Sequence, residues 1–473
     1  MIGLVDFFDT LFSGSTRLLQ GFNYLEIFDY LNKPFYVLFW VFFKNGGFLL
    51  YCGVLMWCVF RYYEDALVGK FFSKSKKVYL SINIPKNNEQ TPKSLEALFI
   101  QIAPTNSPAN FKEKYFEGKL LNETFTFEIV SLGGYIQFII GTPSQFRDLI
   151  ESSIFAQYPD AEIMEIPDYT NNFPKKYPDE EYNLWGTEFK MLSDAKASVD
   201  MLPLRTYSDF IDQDAEEDSF KDPLAAILEF MSKVNKDENI CVQILVRALD
   251  PVTKINPWRS KARGEIKKMA GIEEKEEVKE SGFVKVLKPI FSPFAMIFKD
   301  IINMIIHGEL SKDVIEEKKE KKDTINWMTK LLPNQKLFID NIEKKISKPP
   351  LECKIRLMYV AKKTVYSKGK VISGLFGTFG QYNNPSGATF IPSKPVSTSA
   401  NYFFVKQRVI KRQNSFIKGY CDRSLTRGLE KYYLNTEELA SLFHFPISTV
   451  KAPLITKVES KKVEPPMDLP TVE

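Results

Sequence analysis

The residues TFTFEIVSLGGYIQFIIG, 124–141, decide how the chain is read. TFTFEIV (124–130) and YIQFIIG (135–141) are short runs of β-branched and aromatic residues. Gly133-Gly134 lies between them, so the stretch predicts a β-hairpin. Upstream, VYLSINI (78–84) alternates apolar and polar, the period of a half-buried strand. Thr91-Pro92 then offers an N-cap and a proline at the first helical position, and Leu95, Leu98, Phe99 and Ile102 follow on one helical face. Downstream of the hairpin, Thr142-Pro143 opens a second helix with Phe146, Leu149, Ile150 and Ile154 on its face, and AEIMEI (161–166) reads as a strand. The order β-α-β-β-α-β predicts a ferredoxin-like unit.

A second set of elements follows: a strand at LWGTEFKML (184–192), a helix opened by Asp222-Pro223, and a strand at ICVQILVRAL (240–249). After it come an amphipathic helix at 334–346, a long strand at LECKIRLMYVAKK (351–363) and a helix over 371–382. This predicts a second ferredoxin-like sandwich, interrupted by residues 273–332. The interruption is flanked by the charged runs EEKEEVKE and EEKKEKK. Between them, Phe283, Lys288, Phe294, Phe298 and Lys299 mark a segment suited either to a membrane interface or to packing on a partner or on the domain itself.

Ahead of the first strand lies PFYVLFWVFFKNGGFLLYCGVLMWCVF (34–60), in which 14 of 27 residues are Leu, Phe or Val. About 20 apolar residues of helix span a bilayer core, so the stretch predicts a single transmembrane helix. Trp40, Trp57, Tyr62 and Tyr63 take the place of interfacial belt residues, Lys44 and Gly46-Gly47 sit at mid-span, and Arg61 marks the inner edge. Residues 1–33 carry a net charge of −2 and the residues just after the span +3. The positive-inside rule then places the N-terminus outside and the large body in the cytoplasm.

The whole chain, at 473 residues and +4, is close to neutral, which argues against wholesale nucleic-acid coating. Charge gathers locally at 402–433, where Lys406, Arg408, Lys411, Arg412, Lys418, Arg423 and Arg427 alternate with Phe and Tyr. Such a segment suits DNA, anionic lipid or simply a solvated helix face. The five cysteines form no CxxC pair, so no zinc site or disulfide framework is expected. His307 and His444 stand in unrelated contexts. No GxxxxGK[ST] occurs, and GLFGTFG (374–380) lacks the lysine and hydroxyl that hold a nucleotide and its magnesium. A non-catalytic protein without cofactor is expected.

Several segments together carry a likeness: TPKSLEALF (91–99), FEIVSLGGYIQFIIGTPSQFRDLIESSIFAQYPDAEI (127–163), YNLWGTEF (182–189), DPLAAILEFMSKV (222–234), VQILVRAL (242–249), LNTEELASLFHFP (434–446) and PPMDLP (465–470). The chain resembles the membrane-anchored N-terminal half of bacterial type IV secretion, conjugation-type DNA-transfer ATPases. In that family a P-loop motor follows the PP-x-x-LP segment, and here the sequence reaches Glu473 without one. The resemblance implies a platform at the bacterial inner membrane for a separately encoded P-loop ATPase, assembled as a ring, with DNA as a further candidate partner. The organisation expected is α+β: an extracytoplasmic segment 1–33, one transmembrane helix 34–63, then two ferredoxin-like (βαββαβ) sandwich units. These occupy 64–170 and 171–400, the latter with the 273–332 insertion, and a basic segment, short helix and proline-rich tail fill 401–473. A DNA-binding module and a general membrane scaffold are the rival readings.

Overall fold

A computed structural model describes residues 48–85, 87–106, 112–117, 119, 123–193, 199–212, 219–269, 333–429, 431–448 and 457–458. The chain divides into two compact units, one of Met1–Phe71, Asn110–Leu120 and Glu276–Lys318, the other comprising the rest. In the smaller unit the main described element is helix α1, Phe48–Lys74. Its Arg61 pairs with Glu64 one turn on, and the Tyr63 hydroxyl donates to the Tyr115 carbonyl at 3.2 Å.

The expected single transmembrane helix is corrected here, because no helix among the described residues is long and apolar enough to cross a membrane. The reason is visible in α1. From Phe48, every 18-residue stretch of the helix runs past Phe60 and takes in at least Arg61, Glu64 and Asp65. Beyond Phe60 the helix carries Arg61, Glu64, Asp65, Lys70 and Lys74. Trp57, Arg61, Tyr62 and Tyr63 lie on this helix, whereas Trp40, Lys44, Gly46 and Gly47 lie outside the described residues. So do Phe283, Lys288, Phe294, Phe298 and Lys299.

The larger unit is built on one ten-stranded sheet. Its first half comprises β1 (Lys77–Pro85), β2 (Thr124–Leu132), β3 (Tyr135–Pro143) and β4 (Glu162–Ile166), in the order β2-β3-β1-β4. The second half comprises β5 (Tyr182–Leu192), β8 (Glu238–Arg247), β9 (Pro350–Lys362) and β10 (Thr389–Pro392), in the order β10-β5-β9-β8. The small hairpin β6 (Ile211–Asp212) and β7 (Ser219–Phe220) stands apart from the sheet. β11 (Tyr432–Asn435) joins β9, and β12 (Lys457–Val458) lies parallel to the end of β1.

The two sandwiches expected as separate units are corrected to this continuous sheet. β2 and β8 pair antiparallel from Thr124↔Arg247 to Leu132↔Asn239. The physical cause is that both strands are buried on both faces. A long apolar edge strand is a liability if left open, and here each covers the other.

Alternation along the strands sorts the core. Leu80, Ile82, Phe125, Phe127, Ile244, Ile355 and Leu357 point to one face, where they join a single large apolar cluster. Helices α2 (Pro92–Ile102), α3 (Arg147–Gln157), α4 (Leu224–Ser232), α5 (Asn256–Met269), α6 (Pro333–Ser347) and α7 (Lys368–Phe379) bring residues to it. So does α9 (Thr436–Leu442), every residue of which is buried. A capping box starts α9, the Asn435 side chain accepting from Glu438 N while the Glu438 carboxylate accepts from Asn435 N. Lys345, fully buried on α6, meets Glu438 at 3.2 Å. Past α9, the rings of Phe443 and Phe445 pack edge-on against Phe138. The opposite face of the sheet is covered by α8 (Val405–Cys421) and by the turn that follows it.

Candidate functional site

The residues of β2, β8, β9 and β5 that point towards α8 include a transverse polar row. Glu128 stands opposite Gln243, Gln243 opposite Arg356, and Arg356 opposite Glu188, one residue from each of four neighbouring strands. All four are buried. Buried charge is costly unless paired and hydrogen-bonded, so the question is where each bond goes.

Arg356 uses all five of its N–H groups. Nε donates to Glu188 at 2.9 Å, one terminal nitrogen to Gln243 and the Gly419 carbonyl, the other to the carbonyls of Ser424 and Arg427. Burial pulls its pKa down, and the Glu188 carboxylate opposes this. Lys354, two residues earlier on β9, donates to the Arg427 carbonyl at 2.7 Å. Burial lowers the Lys354 ammonium to about 8, against the pull of Glu188. Glu188 also accepts from Leu429 N at 2.6 Å. Gly428 allows that approach: its φ is +96°, and a Cβ there would fall on the Glu188 carboxylate.

At the other end of the row, Arg423 donates to Glu128 and Asp168, each at 2.8 Å, and to the Tyr79 hydroxyl. Its guanidinium lies 4.1 Å from the Tyr79 ring centroid. Burial works against the charge, but Glu128 and Asp168 outweigh it and hold the Arg423 pKa well above the usual value. Burial also lifts the Tyr79 phenol to about 12. Tyr169 donates to the other Glu128 oxygen and meets the Tyr420 hydroxyl at 2.7 Å. The row therefore clamps the C-terminal end of α8 and the turn 419–429 onto the sheet.

This sorts the seven basic residues singled out above. Arg423 faces the interior and is spent on two carboxylates. Arg412 reaches back to the carbonyls of Ser397 and Ser399, which pins the preceding loop to α8. Arg427 is exposed, but its carbonyl is part of the clamp. Lys406, Arg408, Lys411 and Lys418 are exposed on α8. A cavity of about 130 Å³ is lined by Glu188, Arg356, Arg412, Ser415, Phe416 and Arg427 among others, and not by these four.

Glu128, Gln243, Glu188, Lys354 and Arg356 were not marked by sequence reasoning. Their signal is nonetheless present: in LECKIRL, Glu352, Lys354 and Arg356 alternate with apolar residues inside a strand too apolar to be a surface one.

Chemical options among the remaining groups are narrow. Burial pushes the thiols of Cys241 and Cys353 up, keeping them protonated and unreactive. Both ring nitrogens of buried His444 are engaged, with the Ala440 carbonyl at 3.0 Å and Asp222 at 2.9 Å. His307 lies outside the described residues. No group of three or more His, Cys, Asp or Glu side chains suited to a metal ion occurs among the described residues.

No curated protein matches the sequence. A family model, a domain of unknown function designated DUF8128, matches residues 71–457, from the end of α1 to β12, and the chain belongs to that family.

Proposed function

We propose that this chain is a non-catalytic platform in a transfer machine of the type IV secretion kind, with a P-loop ATPase as its docked partner. The observation that carries the reading is where the segments resembling that family lie. They supply architecture. Ile150 and Ile154 of the IESSIFAQYPDAEI stretch, and Leu439, Phe443 and Phe445 of NTEELASLFHFP, are buried in the apolar cluster. Glu437 and Glu438 are bound to Lys348 and Lys345 within the fold. A module whose most distinctive residues build its interior is suited to holding a shape against a partner. On this proposal the motor chemistry belongs to that partner, in keeping with a sequence that carries no GxxxxGK[ST].

Tagged full-length chain, cross-linked in cells and purified, is expected to bring down a P-loop ATPase in a stoichiometric ratio. Recovery of none across cross-linked and native preparations overturns the docking reading. ATP hydrolysis by the purified chain alone overturns the non-catalytic one.

A further inference from the structure

The two ends of α8 are treated differently by the fold. From Gln413 onward its inner side is buried and clamped, whereas every residue from Asn401 to Arg408 is exposed. At the exposed end three aromatic residues stand in sequence: Tyr402, Phe403 and Phe404 are 85%, 83% and 75% exposed. Val405 beside them is 41% exposed. Tyr402 and Phe404 both hold positive φ, +68° and +53°, a region that bulky residues rarely enter. Such a conformation persists only where neighbouring structure imposes it. Here Arg408 donates to the Asn401 carbonyl at 3.0 Å, and Arg412 binds the carbonyls of Ser397 and Ser399, so the helix itself holds the turn in place. The fold therefore fixes an aromatic tip in water, where nothing among the described residues covers it.

The charge around the tip is one-sided. Between Ser386 and Cys421 there is no Asp or Glu, against six Lys and Arg. Lys406, Arg408 and Lys411 follow the rings within about 10 Å along the helix axis. We propose that this tip is a peripheral membrane anchor for an anionic bilayer surface, with the rings of Tyr402, Phe403 and Phe404 entering the interface and the three cations at headgroup level.

The order of features favours lipid over nucleic acid. Aromatic residues that bind single strands form platforms distributed along a basic track, so that successive bases stack in turn. Here the rings are consecutive, gathered at one end, and the cations stand behind them as a collar. This is the arrangement of an interfacial anchor, in which ring burial and attraction to anionic lipid add. The proposal is independent of the platform reading, since it concerns which surface the body touches and not which protein docks on it.

The test uses the full chain and two kinds of vesicle, pure phosphatidylcholine and phosphatidylcholine with phosphatidylserine. Tyr402→Ser/Phe403→Ser/Phe404→Ser and Lys406→Gln/Arg408→Gln/Lys411→Gln are compared with the unmodified chain by co-sedimentation. Other segments are identical in all three, so differences report the tip. The aromatic variant is expected to bind phosphatidylserine vesicles at least tenfold more weakly, and the charge variant about fivefold more weakly per charge removed. Phe403→Trp supplies a local readout through its difference spectrum. Its added indole emission is expected to shift to the blue and be quenched by brominated lipid on anionic vesicles alone. Equal binding by all three chains overturns the proposal. So does an added indole signal that is unmoved by vesicles, or one moved by a single-stranded oligonucleotide instead.

Discussion

The two faces of the ten-stranded sheet solve the same packing problem with different chemistry. One is largely apolar, with buried polar pairs such as Lys345–Glu438 among its covering helices, which read as amphipathic. The other carries Glu128, Gln243, Arg356 and Glu188 in a row under α8, joined by Lys354 and Arg423. The comparison teaches what each solution is for. Apolar contact is non-directional and tolerates a small slip, whereas a guanidinium with all five donors assigned admits one position for the chain that receives them. The carbonyls of Gly419, Ser424 and Arg427 are those receivers. The charged face thus fixes the register of a turn that has little regular structure of its own.

The sharpest way to break this contrast is Arg423→Ala. It leaves Glu128 and Asp168 without their shared cation in a buried setting, a loss of about 3–5 kcal/mol. Guanidinium unfolding of the full chain measures it, and a double variant with Glu128→Gln should recover part of the loss. A fall below about 1 kcal/mol shows that water reaches the pair and that the clamp is weaker than its geometry implies.

Next in size is the polar collar of the apolar side. Burial raises the Glu437 carboxyl, but hydrogen bonds from Ser208 and Lys348 reverse this and bring it down to about 2. A carboxylate with a depressed folded pKa contributes stability that is fully present above about 4.5 and is lost as pH falls towards 2. Glu437→Gln should cost about 1.5–3 kcal/mol at pH 7, the range for hydrogen bonds to a charged group, and should flatten the acid slope over that window. An unchanged slope places the titration elsewhere. Smaller again is Asn435→Ala, which removes the capping box of α9 and should cost about 1 kcal/mol in the same assay.

Legibility in the sequence followed the same divide. The hairpin 124–141 was readable because its period and its Gly133-Gly134 turn are local, and both glycines do hold positive φ. NQKLFIDNIEKKI lies in α6 for the same kind of reason. The seam between β2 and β8 was not readable, since neither strand's pattern says which other edge covers it. Where the expected span is described, from Phe48 on, the reading failed because apolar content was summed over a window, while α1 continues through Arg61, Glu64 and Asp65. Arg423 was grouped with surface cations because composition alone cannot tell a solvated arginine from one facing two carboxylates. Only a charge recurring at every second position of an apolar strand, as in LECKIRL, hints that a face is paired.

The smallest expected effect, Lys354→Met, separates the members of the charged face that clamp from those that only accompany. The Arg427 carbonyl accepts from Lys354 at 2.7 Å and from Arg356 at 2.8 Å, so removing the lysine leaves it bonded. Glu188 likewise keeps Arg356 and Leu429 N, with Lys354 at 3.9 Å the most distant of these three partners. Against these small losses stands the burial of an ammonium, with Arg356 and Lys431 opposing Glu188 and Glu352 around it. A lysine whose folded pKa is lowered from 10.5 to about 8 is a cost to the fold at neutral pH. Between those two values the unfolded chain binds more protons than the folded one, so that cost is relieved as pH rises. Lys354→Met should therefore be neutral or slightly stabilising at pH 7, within about 1 kcal/mol, as expected when an apolar side chain replaces a buried charge. Its advantage over the unmodified chain should shrink as pH rises from about 8 to about 10.5, other titrations being common to both. A clear destabilisation at pH 7 makes Lys354 a full member of the clamp, and a difference that does not change with pH removes the claim that its charge is the burden.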